Sequence, residues 1–236
     1  FPTRRSSDLS KGFRGTGLAN LSQGDHALMV GTSLANIDDY KAPDGRVDRT
    51  SYDSQAFIGQ YRFRIDGQQQ LRLSLQQQTD EDVWYPGSTK RFTHPNAGVA
   101  AAVQSTTIHS PKQDRALVEV GYSYKGSGES PLNVDVRAYQ QNMKREIYSW
   151  SNRLNRNIAM THVTFETTGL DAKADWLIHP QHLLSFGMNL WEMEASPQRT
   201  IANPPNSTVY VRSDPFDDGR IKAAGAYLQD DMRFGR

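Results

Sequence analysis

The chain has 236 residues, no cysteine, six histidines and 27 basic against 26 acidic side chains, a formal charge of +1. Such a balance gives no electrostatic ground for a nucleic-acid partner, and the missing cysteines exclude a disulfide framework or a thiolate metal site. No apolar run approaches the ~18 residues of a membrane-crossing helix, and mean hydropathy is low for a packed soluble core.

Phe1 to Leu9 reads as the translation of a common sequencing adapter, so residues 1–10 are expected to form an adapter-derived or disordered tail that packs on nothing. Subtracting Arg4, Arg5 and Asp8 leaves 25 basic and 25 acidic residues. The visible start carries no signal peptide, and a sequence beginning in an adapter begins inside a gene. The second expected unit is a partial outer-membrane β-barrel domain over 11–236.

From Lys11 onward the dominant pattern is period two, the mark of strands with two unlike faces. Weaker runs over Gly12–Asn20 and Ala27–Ile37 come first. Phe57, Gly59, Tyr61, Phe63 and Ile65 then alternate with Gln60, Arg62 and Arg64, and Leu71, Leu73 and Leu75 with Arg72, Ser74 and Gln76. Val118, Val120, Tyr122 and Tyr124 alternate with Glu119, Gly121 and Ser123; Val134, Val136 and Ala138 with Asp135, Arg137 and Tyr139. Leu170, Ala172, Ala174 and Trp176 alternate with Asp171, Lys173 and Asp175; Leu184, Phe186, Met188 and Leu190 with Ser185, Gly187 and Asn189. The last run, Ile221–Phe234, fits worst, because Asp230 shares a face with Leu228 and Met232.

These runs predict an all-β fold of about nine antiparallel up-and-down strands. Short turns are expected at Ser22–His26, Asp66–Gln69, Lys125–Pro131 and His179–His182, and long polar connections at Asp38–Thr50, Asp80–Asp114, Lys144–Thr161 and Ala195–Gly219. Short turns at one end and long loops at the other describe an outer-membrane barrel, here an open piece of one. Alternation alone does not separate such a barrel from a soluble β-sandwich. The aromatics favour the barrel: Tyr61, Phe63, Tyr122, Tyr124 and Trp176 gather beside the short turns, as an interfacial girdle would. The opposite face carries Arg62, Arg64, Arg72, Asp135, Arg137, Asp171, Lys173 and Asp175, a charged set suited to a wet lumen or a plug-facing wall.

Several stretches resemble the TonB-dependent outer-membrane receptor family. Asn36-Ile37-Asp38-Asp39-Tyr40-Lys41, Asp44-Gly45-Arg46-Val47 and Ser51-Tyr52-Asp53-Ser54 resemble an early barrel strand, its loop and the strand that follows. Gln70 to Thr79 with Asp80-Glu81-Asp82 and Tyr85-Pro86-Gly87 resembles the next strand entering an extracellular loop, and Ala224 to Met232, with Gln229-Asp230-Asp231, a mid-barrel strand. No single motif is diagnostic; order and spacing carry the likeness across most of 11–236. The resemblance implies a barrel of roughly 22 strands around an N-terminal plug, with plug, TonB box and the C-terminal half outside this sequence. It also implies outer-membrane lipid, the TonB energy-transducing complex and a metal chelate as partners, in a Gram-negative outer membrane. Siderophore-iron, haem and cobalamin all stay open as cargo.

Ligand contacts are expected in the long connections. Trp84, Tyr85, Lys90, Arg91, Phe92 and His94 combine aromatic surface with positive charge, which suits an anionic, aromatic chelate; Tyr148, Trp150, Arg153 and Arg156 repeat the mixture. His94 and His109 could ligate haem or a chelated metal, whereas His179-Pro180-Gln181-His182 reads as a tight turn. The bland alternative is ordinary loop decoration, with aromatics at the outer interface and arginines near lipid phosphates. No resident cofactor or metal and no catalytic residue is expected, since nothing in the spacing of Ser149 and His162 supports a nucleophile–base pair. A transport receptor is therefore the leading function. The alternatives are a passive porin-like or structural barrel and, behind it, a soluble sandwich binding module.

Overall fold

The computed structural model describes residues 10–43, 45–47, 49–85, 106–151, 156–202 and 207–234, with the side chains of residues 10, 106, 107, 150, 151, 156 and 157 left aside. Eleven strands form one sheet. They are β1 (Ser10–Gln23), β2 (His26–Ala42), β3 (Gly45–Arg46), β4 (Tyr52–Arg64), β5 (Gln69–Tyr85), β6 (Thr106–Lys125), β7 (Leu132–Ser151), β8 (Arg156–His179), β9 (His182–Ala202), β10 (Val211–Arg212) and β11 (Gly219–Met232). β3 and β10 are two-residue pieces beside β2 and β9, which leaves the nine long strands that the alternation predicts. Each long strand pairs antiparallel with the next long one, from β1 through β9 to β11. Among the described residues the outer edges of β1 and β11 have no partner, so the sheet is open.

Directly opposed residues in an antiparallel ladder share a face, so the registers sort the side chains. Leu28, Tyr61, Leu73, Val120, Ala138, Leu170, Leu190 and Ala224 form one cross-strand row. Arg62, Arg72, Gly121, Arg137, Asp171 and Asn189 form a row on the other face. All eight charged residues expected to share a wall do share that polar face: Arg64 aligns with Gln70, Ser123, Asp135 and Lys173, and Asp175 lies two residues beyond Lys173. The aromatics beside the short turns lie on the apolar face. There Trp176 donates to Ser130 Oγ at 3.0 Å, Tyr122 to Gln69 Oε1 at 2.9 Å, and the Tyr61 hydroxyl meets His26 Nδ1 at 2.6 Å.

The sheet is a single layer. Among the described residues the buried apolar side chains are four alanines, Ala35, Ala159, Ala195 and Ala202, while Leu73, Val120 and Phe186 are 42%, 52% and 45% exposed. A soluble sandwich would cover that face with a second sheet about 10 Å away; among the described residues no second sheet stands against it.

Three expectations need correction. Ser10 belongs to β1 rather than to the tail, and pairs with Tyr40; residues 1–9 lie outside the described residues. The four short turns fall where expected, but the long connections are shorter than the sequence suggests. β5 continues to Tyr85 and β6 begins at Thr106, β7 reaches Ser151 and β8 starts at Arg156, and β9 runs to Ala202. Consequently Trp84, Tyr85, His109 and Tyr148 are strand residues, not loop residues. Backbone pairing continues through these stretches while both faces turn polar, so the hydrophobic alternation that marks a strand disappears. β8 alone has 24 residues, against the roughly 9–11 that a tilted strand needs to cross a bilayer.

Candidate functional site

The polar face is built in tiers that run across the strands. In the lowest, Glu119 receives two cations: Arg72 Nη2 lies 3.1 Å from Oε1 and Arg137 Nη1 3.6 Å from Oε2. Arg137 also pairs with Asp171, which in turn accepts from Asn189 Nδ2. Gly121 makes room for this crossing, since a Cβ there would come within 3.0 Å of Arg72 Nη2. Beside it Lys173 meets Asp175 at 2.8 Å, and Ser185 Oγ donates to the same carboxylate at 2.6 Å. Arg62 donates to Gln60 at 2.9 Å, and Arg64 reaches Asp25 only at 4.0 Å. Arginine suits these positions because its planar fork serves two neighbouring strands at once.

A second tier holds Arg115, whose Nε donates to Gln141 at 2.8 Å and Nη1 to Gln76 at 3.3 Å. The third is centred on Tyr85. Its hydroxyl accepts from Gln113 Nε2 at 2.8 Å and Arg145 Nη2 at 3.0 Å, and the Arg145 guanidinium lies 5.7 Å from the ring centroid. Arg145 Nε is buried without a partner. A phenol, an amide and a guanidinium at one level offer stacking surface and charge-assisted donors.

Tyr85 reaches that face through a local break in the ladder. Asp82 adopts a left-handed conformation, with φ of +53°. Pro111 opposite has no N–H to give, and β6 carries an irregularity between His109 and Gln113. The Ser110 hydroxyl fills the gap by donating to the Glu146 carbonyl at 2.5 Å. Along β7 the alternation runs unbroken from Val134 and Val136 to Tyr148, which places Tyr148 on the apolar side. Tyr148 opposes His109, and His109 opposes Trp84, so all three share that side.

Trp84 and Tyr85, expected as one stacking pair, therefore point to opposite faces. Trp84 stacks on His109 with ring centroids 4.0 Å apart and has the Arg49 guanidinium 5.0 Å from its centroid. His109 Nε2 lies 2.7 Å from Asp82 Oδ1. Tyr148 meets His162 edge-on at 6.0 Å, and His162 Nδ1 is 3.7 Å from Glu146. Lys90, Arg91, Phe92, His94 and Arg153 lie outside the described residues. Trp150 lies one residue before the end of β7 and Arg156 opens β8, and their side chains are outside the description. Gln113, Arg115 and Arg145 went unremarked in the sequence. Counting in twos from Arg137 along β7 reaches Arg145, a signal that was available. Among the described residues, no group of three or more histidines and carboxylates is arranged to hold a metal ion.

Beyond the tiers, Asp39 anchors the β2–β3 hairpin and the approach to β4. Its Oδ2 accepts from Arg46 at 2.7 and 3.0 Å, and its Oδ1 from the Thr50 and Ser51 amides at 2.7 and 3.0 Å. Burial pushes this carboxyl upward, but the hydrogen bonds from Thr50, Arg46, Ser51 and Arg49 together hold it below the usual aspartate range. In the turn after β4, the Gln68 amide leads the contacts that hold Asp66 low.

No known protein-family profile matches the chain, and no curated protein matches it in sequence. Among solved structures, the crystal structure of the ferric yersiniabactin uptake receptor FyuA from Yersinia pestis is similar at 12% identity and a TM-score of 0.40. The similarity covers 94% of this chain and 42% of that receptor, so the chain spans less than half of its length.

Proposed function

We propose that this chain forms part of the barrel wall of a TonB-dependent receptor in a Gram-negative outer membrane, which captures a metal chelate outside and releases it inward without covalent chemistry. The observation that carries the proposal is the single-layer sheet. One face is an exposed apolar band beside short turns, the other a tiered ion-paired wall, and the strands rise well past the band. Lipid is the solvent that suits the first face, and a water-filled or plugged lumen suits the second. The two free sheet edges fit a barrel that further strands close, since an open edge would pair with other chains. Outer-membrane lipid, the TonB complex and the chelate are the partners this assigns.

The ligand-contacting part of this wall is the tier of Tyr85, Gln113 and Arg145. Binding of ferric siderophores, haem and cobalamin to the intact protein, measured by titration, tests the assignment. Tyr85→Ala and Arg145→Ala are expected to weaken one of these ligands by about 1–2 kcal/mol each, while Trp84→Ala, on the opposite face, leaves it unchanged. Equal affinity in all three variants removes this tier from the site. A passive porin-like barrel would instead admit solute in cells lacking TonB, where the proposed receptor transports none.

A further inference from the structure

Partway up β7, β8, β9 and β11 the two faces of the sheet exchange character. Above the apolar row of Ala138, Leu170, Leu190 and Ala224 come Thr168, Glu192 and Lys222, then Asn142, Glu166, Glu194 and Arg220, so the apolar band has ended. On the opposite face, which carries Arg137 and Asp171 lower down, the same levels hold Trp191, then Met193 and Ile221, then Met143 and Phe165, then Val163. Small residues on this face, Ser74, Ser185 and Ala195, are buried, as on the inner side of a curved sheet. Met143 and Ile221 are 37% and 51% exposed, and among the described residues no other layer packs on them. Apolar side chains gathered in a space that lipid does not reach mark a surface for a partner. Two cations border this patch: Arg115 lies opposite Met143, and Arg145 opposite Val163. Both rest on neutral acceptors, Gln76 and Gln141 for Arg115 and the Tyr85 hydroxyl for Arg145, and among the described residues neither takes a carboxylate. The carboxylate of this level, Asp80 opposite Gln113, accepts from Gln78 Nε2 at 3.1 Å.

From this arrangement we infer that the captured chelate is an amphiphile, with an anionic metal-binding head at Arg115, Arg145 and Tyr85 and an apolar arm laid across Phe165, Met193 and Ile221. The inference rests on the receptor reading above and narrows its cargo. Charge complementarity places the head: two guanidiniums without carboxylates favour an anion, and Asp80 offsets one of them at most. Position places the arm, because the apolar residues begin beside both arginines and continue away from them, across β8 to β9 and β11. A chelate polar all round would leave that patch in water. A wholly apolar one would leave the arginines without an anion.

The test is titration of the intact protein with ferric complexes of three anionic heads, a catecholate, a citrate-hydroxamate and an α-hydroxycarboxylate, each carrying either an acetyl or an octanoyl group. Affinities are corrected for uptake of the arm by the detergent, measured without protein. For at least one head the octanoyl complex should bind roughly tenfold tighter than its acetyl partner, the ratio that burying about two methylene groups supplies. Met193→Gln combined with Ile221→Gln should bring the two affinities together. Equal affinities within every pair in the unaltered protein would overturn the inference and assign the patch to another segment of the protein. A preference that survives in the double variant would overturn it by placing the arm elsewhere. If the double variant does not insert, Met193→Gln alone, expected to lower the ratio about threefold, decides. If no ferric complex binds, the inference falls; if haem and cobalamin are refused as well, the receptor reading falls with it.

Discussion

The lower and upper halves of the same strands obey different rules. Near the short turns, between about Leu71 and Leu75 on β5 and Leu184 and Leu190 on β9, large apolar side chains stand exposed on one face and ion pairs cover the other. Higher up, the formerly apolar face carries Gln77, Glu166, Glu192 and Glu194, yet the strands pair on to Tyr85, Ser151 and Ala202. Cross-strand hydrogen bonding thus outlasts hydrophobic alternation by many residues. Alternation reports where one face of the sheet is apolar; it does not report how long the sheet is.

The sharpest way to break that comparison is to place one charge in each half. Val120→Arg, in the middle of the apolar band, should cost about 2–4 kcal/mol in denaturant unfolding of the lipid-reconstituted protein, and Gln77→Arg, on the same face above the band, about 0–1 kcal/mol. Equal costs would show that no bilayer boundary lies between them. Next in size is the packing of the wall itself. The Tyr139 ring lies over Gly169 and the Tyr227 ring over Gly187, so closely that a Cβ on either glycine would run into the ring. Gly169→Val should destabilise by about 1–3 kcal/mol as overpacking does, and Tyr139→Ala in the same protein should recover most of the loss. A loss that persists in the double variant would mean that the backbone at Gly169, not the ring, is what tolerates only glycine.

A smaller effect belongs to the cross-strand charges. Glu119, 14% exposed, stands between Arg72 and Arg137. Glu119→Gln should cost about 1 kcal/mol, because both arginines are partly solvated and Arg137 keeps Asp171. The loss should shrink in high salt. No change at low salt would show the row to be neutral decoration. The smallest effect is a pH dependence at the β2–β3 hairpin of the upper half. Asp39 is held below the value of about 3.9 that a free aspartate has. Its contribution is therefore complete above that value and fades as pH falls through the lower folded one. Amide exchange at Thr50 and Ser51 should quicken in that acid window in the unaltered protein. Asp39→Asn should bring the faster exchange to neutral pH, and an unchanged acid profile in that variant would assign the fading to another group.

How much of this was legible beforehand follows the same division. Leu71, Leu73 and Leu75 against Arg72 and Ser74 reveal a strand and both of its faces, because one face must stay apolar and the period cannot slip. The short turns were equally plain at Asp66–Gln69 and His179–His182, where alternation stops and resumes within a few residues. The candidate site was less legible. Trp84 and Tyr85 look like one aromatic patch in the sequence, yet adjacent strand residues point apart, so each had to be assigned a face. Asp82 and Pro111 make that assignment impossible to count from below.

By itself, the sequence determined the strand class, the number of long strands, the order of turns and the charged face from Arg62 to Asp175. Each of these follows from local alternation and from neighbours within one hairpin. Only the tertiary structure decided where the strands end, which face Trp84, His109 and Tyr148 take, and that Arg145 meets Tyr85 across β6 while Glu119 joins Arg72 to Arg137. Those outcomes depend on register across several strands and on one break in the ladder. Hydrogen bonds between distant segments set both, and they leave no periodic trace in the amino-acid order.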